Sequence, residues 1–129
     1  MIEKVKIKSI DSERIEKDDS FPNAYAFYIE LDTAPHAVWE ELFLRRYESD
    51  WFNLKREMTI QGKEIRVVTA PGEEEHQVDF YRRLVEETNR DAEEYNRDLA
   101  QQSELASRVA QSESAEAQRI RENLKKIHI

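Results

Sequence analysis

Residues 24–47, AYAFYIELDTAPHAVWEELFLRRY, decide the fold. At the start of this stretch Tyr25, Phe27, Ile29 and Leu31 fall on one face of an alternating pattern. Period-two alternation with aromatic and β-branched residues predicts a half-buried strand. The period then changes. Val38, Trp39, Leu42, Phe43 and Tyr47 follow i, i+3, i+4 spacing, the single apolar stripe of a helix packed on a sheet. Between them Asp32, Thr33, Ala34 and Pro35 form a helix-start signal: Asp32 or Thr33 can accept free amide hydrogens, and proline is tolerated in a first turn. The helix should end near Ser49 and Asp50, and Trp51 and Phe52 join the same aromatic core by spacing.

Upstream, Val5 and Ile7 alternate with Lys4, Lys6 and Lys8, which predicts a strand over residues 2–10 pairing antiparallel with the strand at 24–31. The charged stretch Asp11–Ser20 is expected to be a loop. Downstream, residues 53–69 read as a hairpin. Leu54, Arg56, Met58 and Ile60 share one face, Ile65 and Val67 repeat it, and the turn is at Gln61, Gly62 and Lys63. Pro71 and Gly72 end that pattern, and Glu73, Glu74 and Glu75 sit where their charge complements a helix dipole. No proline or glycine follows from 73 to 126, and acid-first i, i+4 pairs recur, among them Asp79–Arg83, Glu93–Arg97 and Glu104–Arg108. An unbroken helix over this range would be about 75–80 Å long at ~1.5 Å per residue. Ser112 and Ser114 mark a possible break within 111–116, where a second helix turning back could be capped.

The predicted class is α+β in ββαββα order, with a four-stranded antiparallel sheet covered by an aromatic-rich helix. Residues 1–72 form the sheet-and-helix core, and 73–129 the long helical segment. One seam runs along that segment through Val85, Thr88, Ala92, Tyr95, Leu99, Gln102, Ala106 and Val109, then Ile120 and Ile127, in steps of three and four. It can be a solvated helix ending in a frayed tail, a dimer interface, or the face of a helical protein partner. A helix polar over most of its surface needs a partner or many ion pairs, so assembly is expected, carried by Tyr95, Leu99, Ala106 and Val109, with Ile120 and Leu124 if the helix continues.

Composition excludes much chemistry. The chain has 129 residues, 39% apolar and 37% charged, enough apolar content for one modest core. With no cysteine there is no disulfide scaffold, thiolate zinc site or cysteine nucleophile. Two glycines cannot build a Gly-rich phosphate loop. No apolar run approaches the ~20 residues of a membrane helix, nor is there a signal-peptide core, so a cytoplasmic protein is expected. The net charge of −8 disfavours a general nucleic-acid binder. The alternative to assembly is nonetheless a cationic sheet face binding single-stranded nucleic acid, built by Lys4, Lys6, Lys8, Tyr28, Lys55 and Arg66. Edge-strand lysines that deter aggregation explain the same residues, and Glu30, Glu57 and Glu64 weaken the patch.

Three histidines complete the inventory. His76 with Asp79 could supply two metal ligands from one helix face, but acidic first turns arise for dipole reasons alone. His36 with Glu40 reads as a surface pair, and His128 as a mobile chain end. No catalytic residue, cofactor or metal is expected, and a G-x-S-x-G elbow is absent.

Overall fold

The computed structural model describes residues 1–127, with β1 (Ile7–Lys17), β2 (Tyr25–Leu31), α1 (Ala37–Ser49), β3 (Met58–Gln61), β4 (Glu64–Thr69) and α2 (Glu74–Lys125). The expected ββαββα order and α+β class hold. The packing divides into a first unit, Met1–Glu93, and a second from Glu94 onward. The change of pattern at 72/73 is therefore a change of secondary structure, and the change of packing comes about six helical turns later.

In the first unit the sheet order is β1-β2-β4-β3, antiparallel throughout. Phe27 lies opposite Val67 and Ile29 opposite Ile65, so the buried face of β2 meets that of β4 directly. These residues share one core with Trp39 and Phe43 of α1 and with Phe80, Tyr81, Leu84 and Val85 of α2. Trp39 stacks on Phe43 with ring centroids 5.2 Å apart, and Phe43 lies 6.5 Å from Tyr81. The stripe predicted for α1 is the stripe that packs. Trp51 is not part of it: the residue is 82% exposed, because α1 ends at Ser49 and the helical spacing no longer applies beyond the cap at Asp50.

Three local expectations change. The N-cap of α1 is His36, whose Nδ1 accepts the Val38 amide at 3.1 Å, while the Asp32 carboxylate accepts the Lys6 amide at 2.9 Å. The first strand begins at Ile7 and runs through the expected loop to Lys17, with register shifts between Ile7 and Ser9 and between Asp11 and Glu16. It is an edge strand whose outer side chains stay solvated, so charge does not prevent pairing. Residues 53–57 are not strand; Lys55 donates its amide to the Phe52 carbonyl, and pairing begins at Met58. The β3–β4 turn places Gly62 at φ +59 as the first of two loop residues, a conformation that side-chain-bearing residues rarely adopt.

Helix α2 passes through residues 111–116 without the suspected break. Ser112 and Ser114 are exposed helix-interior residues, a mild propensity cost with no glycine or proline to convert it into a stop. Of the anticipated ion pairs, Glu104–Arg108 forms at 2.6 Å, whereas Asp79 meets Arg82; Glu93 also pairs with Lys4. No helix among the described residues is long and apolar enough to cross a membrane.

Within the first unit Arg46 joins α1 to α2. Its guanidinium donates from Nε to one oxygen of Asp91 at 2.7 Å and from Nη2 to the other at 2.9 Å. These hydrogen bonds hold the Asp91 carboxyl below the ordinary aspartate range, against the opposing effect of burial. An acid with a lower pKa folded than unfolded contributes stability above its unfolded value, and loses it as pH falls through the folded value. The melting-temperature gap between wild type and Asp91→Asn should therefore be widest near neutral pH and close between about pH 5 and pH 2. Thermal denaturation across that range checks it; a gap independent of pH would mean the pair contributes no charge-dependent stability.

Candidate functional site

The structure disperses the cationic set predicted for the sheet. Tyr28 and Arg66 do lie opposite each other on β2 and β4. Yet Tyr28 is buried, with the Arg14 guanidinium 3.7 Å above its ring and its hydroxyl donating to Glu16 at 2.9 Å. Arg14 also donates to both carboxylate oxygens of Glu64, at 2.8 and 2.9 Å. Arg66 reaches Asp18 at 2.9 Å, and that carboxyl is held below its usual range by hydrogen bonds from Ser20 and Arg66. The aromatic platform is thus already covered, and the neighbouring cations are already neutralised. Lys55 leaves the sheet altogether: its ammonium donates to the Tyr47 and Asp50 carbonyls at the C-terminal end of α1. Lys4 pairs with Glu93, and Lys6 and Lys8 stay exposed. A register shift falls at Lys8, so the three lysines do not form the continuous row that simple alternation implies.

The histidines are separated. His76 is exposed in the first turn of α2, and Asp79, one turn on, has Arg82 within 3.7 Å. His36 caps α1, and His128 lies outside the described residues. Among the described residues no three His, Asp or Glu gather where a metal could be held.

Two apolar surfaces stand out among the described residues. One is a cleft of about 460 Å³ in the first unit, lined by Ile10, Ile15, Tyr25, Phe27, Pro71 and Val78, with Asp11 and Glu74 also on its walls. Sequence reasoning missed it because Ile15 lies in a charged stretch read as loop and Ile10 at the last position of the strand read before it. Those two isoleucines, isolated among polar residues, were the available signal.

The other surface is on the second unit. Tyr95, Leu99, Val109, Ile120 and Leu124 are exposed, from 36% at Tyr95 to 61% at Leu124, and Ala106 is exposed with them. By contrast Val85, Thr88 and Ala92, earlier members of the same seam, are buried in the first unit. The seam is therefore satisfied up to Ala92, whereas from Tyr95 on its apolar members stay in water. Leu105, not part of the seam as read, is a further exposed apolar residue on this segment.

No family model matches this chain, and no curated protein and no solved structure matches it significantly.

Proposed function

We propose that this protein is a non-catalytic self-association module that assembles through the second half of α2, with Tyr95, Leu99, Ala106, Val109, Ile120 and Leu124 as the contact residues. The observation that supports this is an exposed apolar series on one helix: Tyr95, Leu99, Ala106, Val109 and Ile120 share a seam of three- and four-residue steps that Gln102, Glu113 and Glu116 interrupt, and Leu124 flanks it. Burying a Leu, Ile or Val side chain is worth about 1.5–3 kcal/mol, so pairing two copies offers enough gross energy to offset the entropic cost of association. The covered aromatic and neutralised cations of the sheet leave the nucleic-acid reading without a comparable surface.

Light scattering on a sizing column tests it. The full chain should have twice the monomer mass at tens of micromolar, and Leu99→Glu combined with Ile120→Glu should return it to monomer. Both changes lie outside the first unit, so its stability to unfolding should change by less than about 0.5 kcal/mol. A monomeric wild type, or a variant with undiminished mass, would overturn the proposal.

A further inference from the structure

We infer that two copies of the second half of α2 pair antiparallel, in the register that sets Asp98 of each helix against Arg119 of the other. This rests on the self-association reading and adds its direction and register. Written as heptads, the seam places Leu99, Ala106, Glu113 and Ile120 at a, and Tyr95, Gln102, Val109 and Glu116 at d. The flanking g positions are Asp98, Leu105, Ser112 and Arg119, and the flanking e positions are Asn96, Ser103, Ala110, Ala117 and Leu124. Charge on the flanks is thus confined to one acid near the start and one base near the end. Neither Asp98 nor Arg119 has an ion-pair partner among the described residues, and both are exposed.

Direction follows from what each arrangement brings together. In a parallel, in-register pair every a or d residue meets its own copy, so Glu113 faces Glu113 and Glu116 faces Glu116 across the seam. The g positions then approach e positions, where Asp98 finds a serine and Arg119 finds Leu124. No flank pair forms, and two like-charge contacts are made. In an antiparallel pair a faces d and g faces g. Ile120 then packs on Tyr95, Ala106 on Val109, and Leu99 along the aliphatic stem of Glu116. Glu113 meets Gln102, and Asp98 meets Arg119 twice, once at each end of the two-fold. Sliding by one heptad either way separates Asp98 from Arg119. One slide sets Ile120 against Gln102, and the other sets Glu113 against Tyr95. Only one register matches apolar to apolar and acid to base together.

The chain has no native cysteine, so a single Glu122→Cys in the full-length protein gives one spin label per copy, at an outward heptad position. At about 1.5 Å per residue, labels in the antiparallel register are roughly 43 Å apart along the axis, against less than about 30 Å in total for a parallel pair. Electron–electron distance measurement should give about 45 Å. Asp98→Arg alone and Arg119→Asp alone should each raise the dimer dissociation constant about tenfold or more. The combined Asp98→Arg, Arg119→Asp variant should restore it. A dimer with labels closer than about 30 Å, or no recovery in the double variant, overturns the antiparallel register while leaving self-association standing. A monomeric wild type overturns self-association itself, and this inference with it.

Discussion

Replacing Asn89 with alanine is expected to destabilise the first unit by about 2–4 kcal/mol. The Asn89 side chain makes three hydrogen bonds to two otherwise unserved regions. Its Oδ1 accepts from the Val5 amide at 2.9 Å and from the Trp39 indole Nε1 at 2.9 Å, and its Nδ2 donates to the Val5 carbonyl at 2.7 Å. Val5 is buried and precedes β1, so no strand partner supplies those backbone bonds, and Trp39 is the largest fully buried side chain. Truncation leaves a backbone donor, a backbone acceptor and an indole donor unpaired, each costing about 1–3 kcal/mol less whatever water recovers. Against a typical domain stability of about 5–15 kcal/mol, this should lower the melting temperature by roughly 10–20 °C. Near-ultraviolet circular dichroism during heating measures it, with Asn123→Ala in the exposed part of α2 as a control expected to change little. Trp39→Phe removes one of the same bonds, so the double variant should be less destabilised than the two single losses added together. A loss under about 1 kcal/mol for Asn89→Ala would show that the N-terminal segment is held by the packing of Ile2 and Val5 rather than by this side chain.

Asn89 also shows where the sequence stops being informative. The alternation at Phe27, Ile29 and Leu31 and the stripe at Trp39, Phe43 and Tyr47 were legible because each records a face turned to the core, although Tyr25 at the start of the strand is exposed and Ala26 and Tyr28 are buried on its other face. The bonds of Asn89 cross 84 residues of sequence to Val5, and no local pattern distinguishes it from any other polar helix residue. The extent of β1 was hidden for a different reason. Two register shifts remove the period, and an edge strand needs only one apolar face. That same irregularity defeated the cationic row: parity counted along an unbroken strand cannot anticipate Arg14 folding over Tyr28. Trp51 was misplaced by spacing, since an aromatic one turn beyond Tyr47 continues the core stripe until the helix end is fixed. The seam of α2 was legible as a spacing but not as a division of labour. A face packing on a sheet and a face awaiting another helix use the same three- and four-residue steps, so Ala92 and Leu99 look alike in sequence although only Ala92 is buried.

Under the proposed self-association, dilution below the dissociation constant is expected to remove much of the helical signal, because the helix beyond Glu93 buries little of its own apolar surface. Its apolar side chains are exposed, and helices that bury nothing are marginal in water even when the sequence favours them. The contribution of intrahelical ion pairs is small: an exposed pair such as Arg108–Glu104 adds about 0.3–0.5 kcal/mol. Nucleation costs nothing extra, since the first turns of α2 are fixed by Phe80, Tyr81, Leu84 and Val85 in the core. Loss should therefore proceed by fraying from the C-terminal end rather than by a cooperative step. The segment accounts for roughly half of the helical residues, so ellipticity at 222 nm should fall by up to about that fraction on dilution. The near-ultraviolet signal of buried Trp39 should stay constant, and Leu99→Glu with Ile120→Glu should reproduce the same loss at high concentration. A 222 nm signal unchanged in a sample shown to be monomeric would mean that the ion pairs suffice. The apolar series would then be dispensable for helix formation, and burying it would contribute its full energy to binding instead of spending part on ordering the chain.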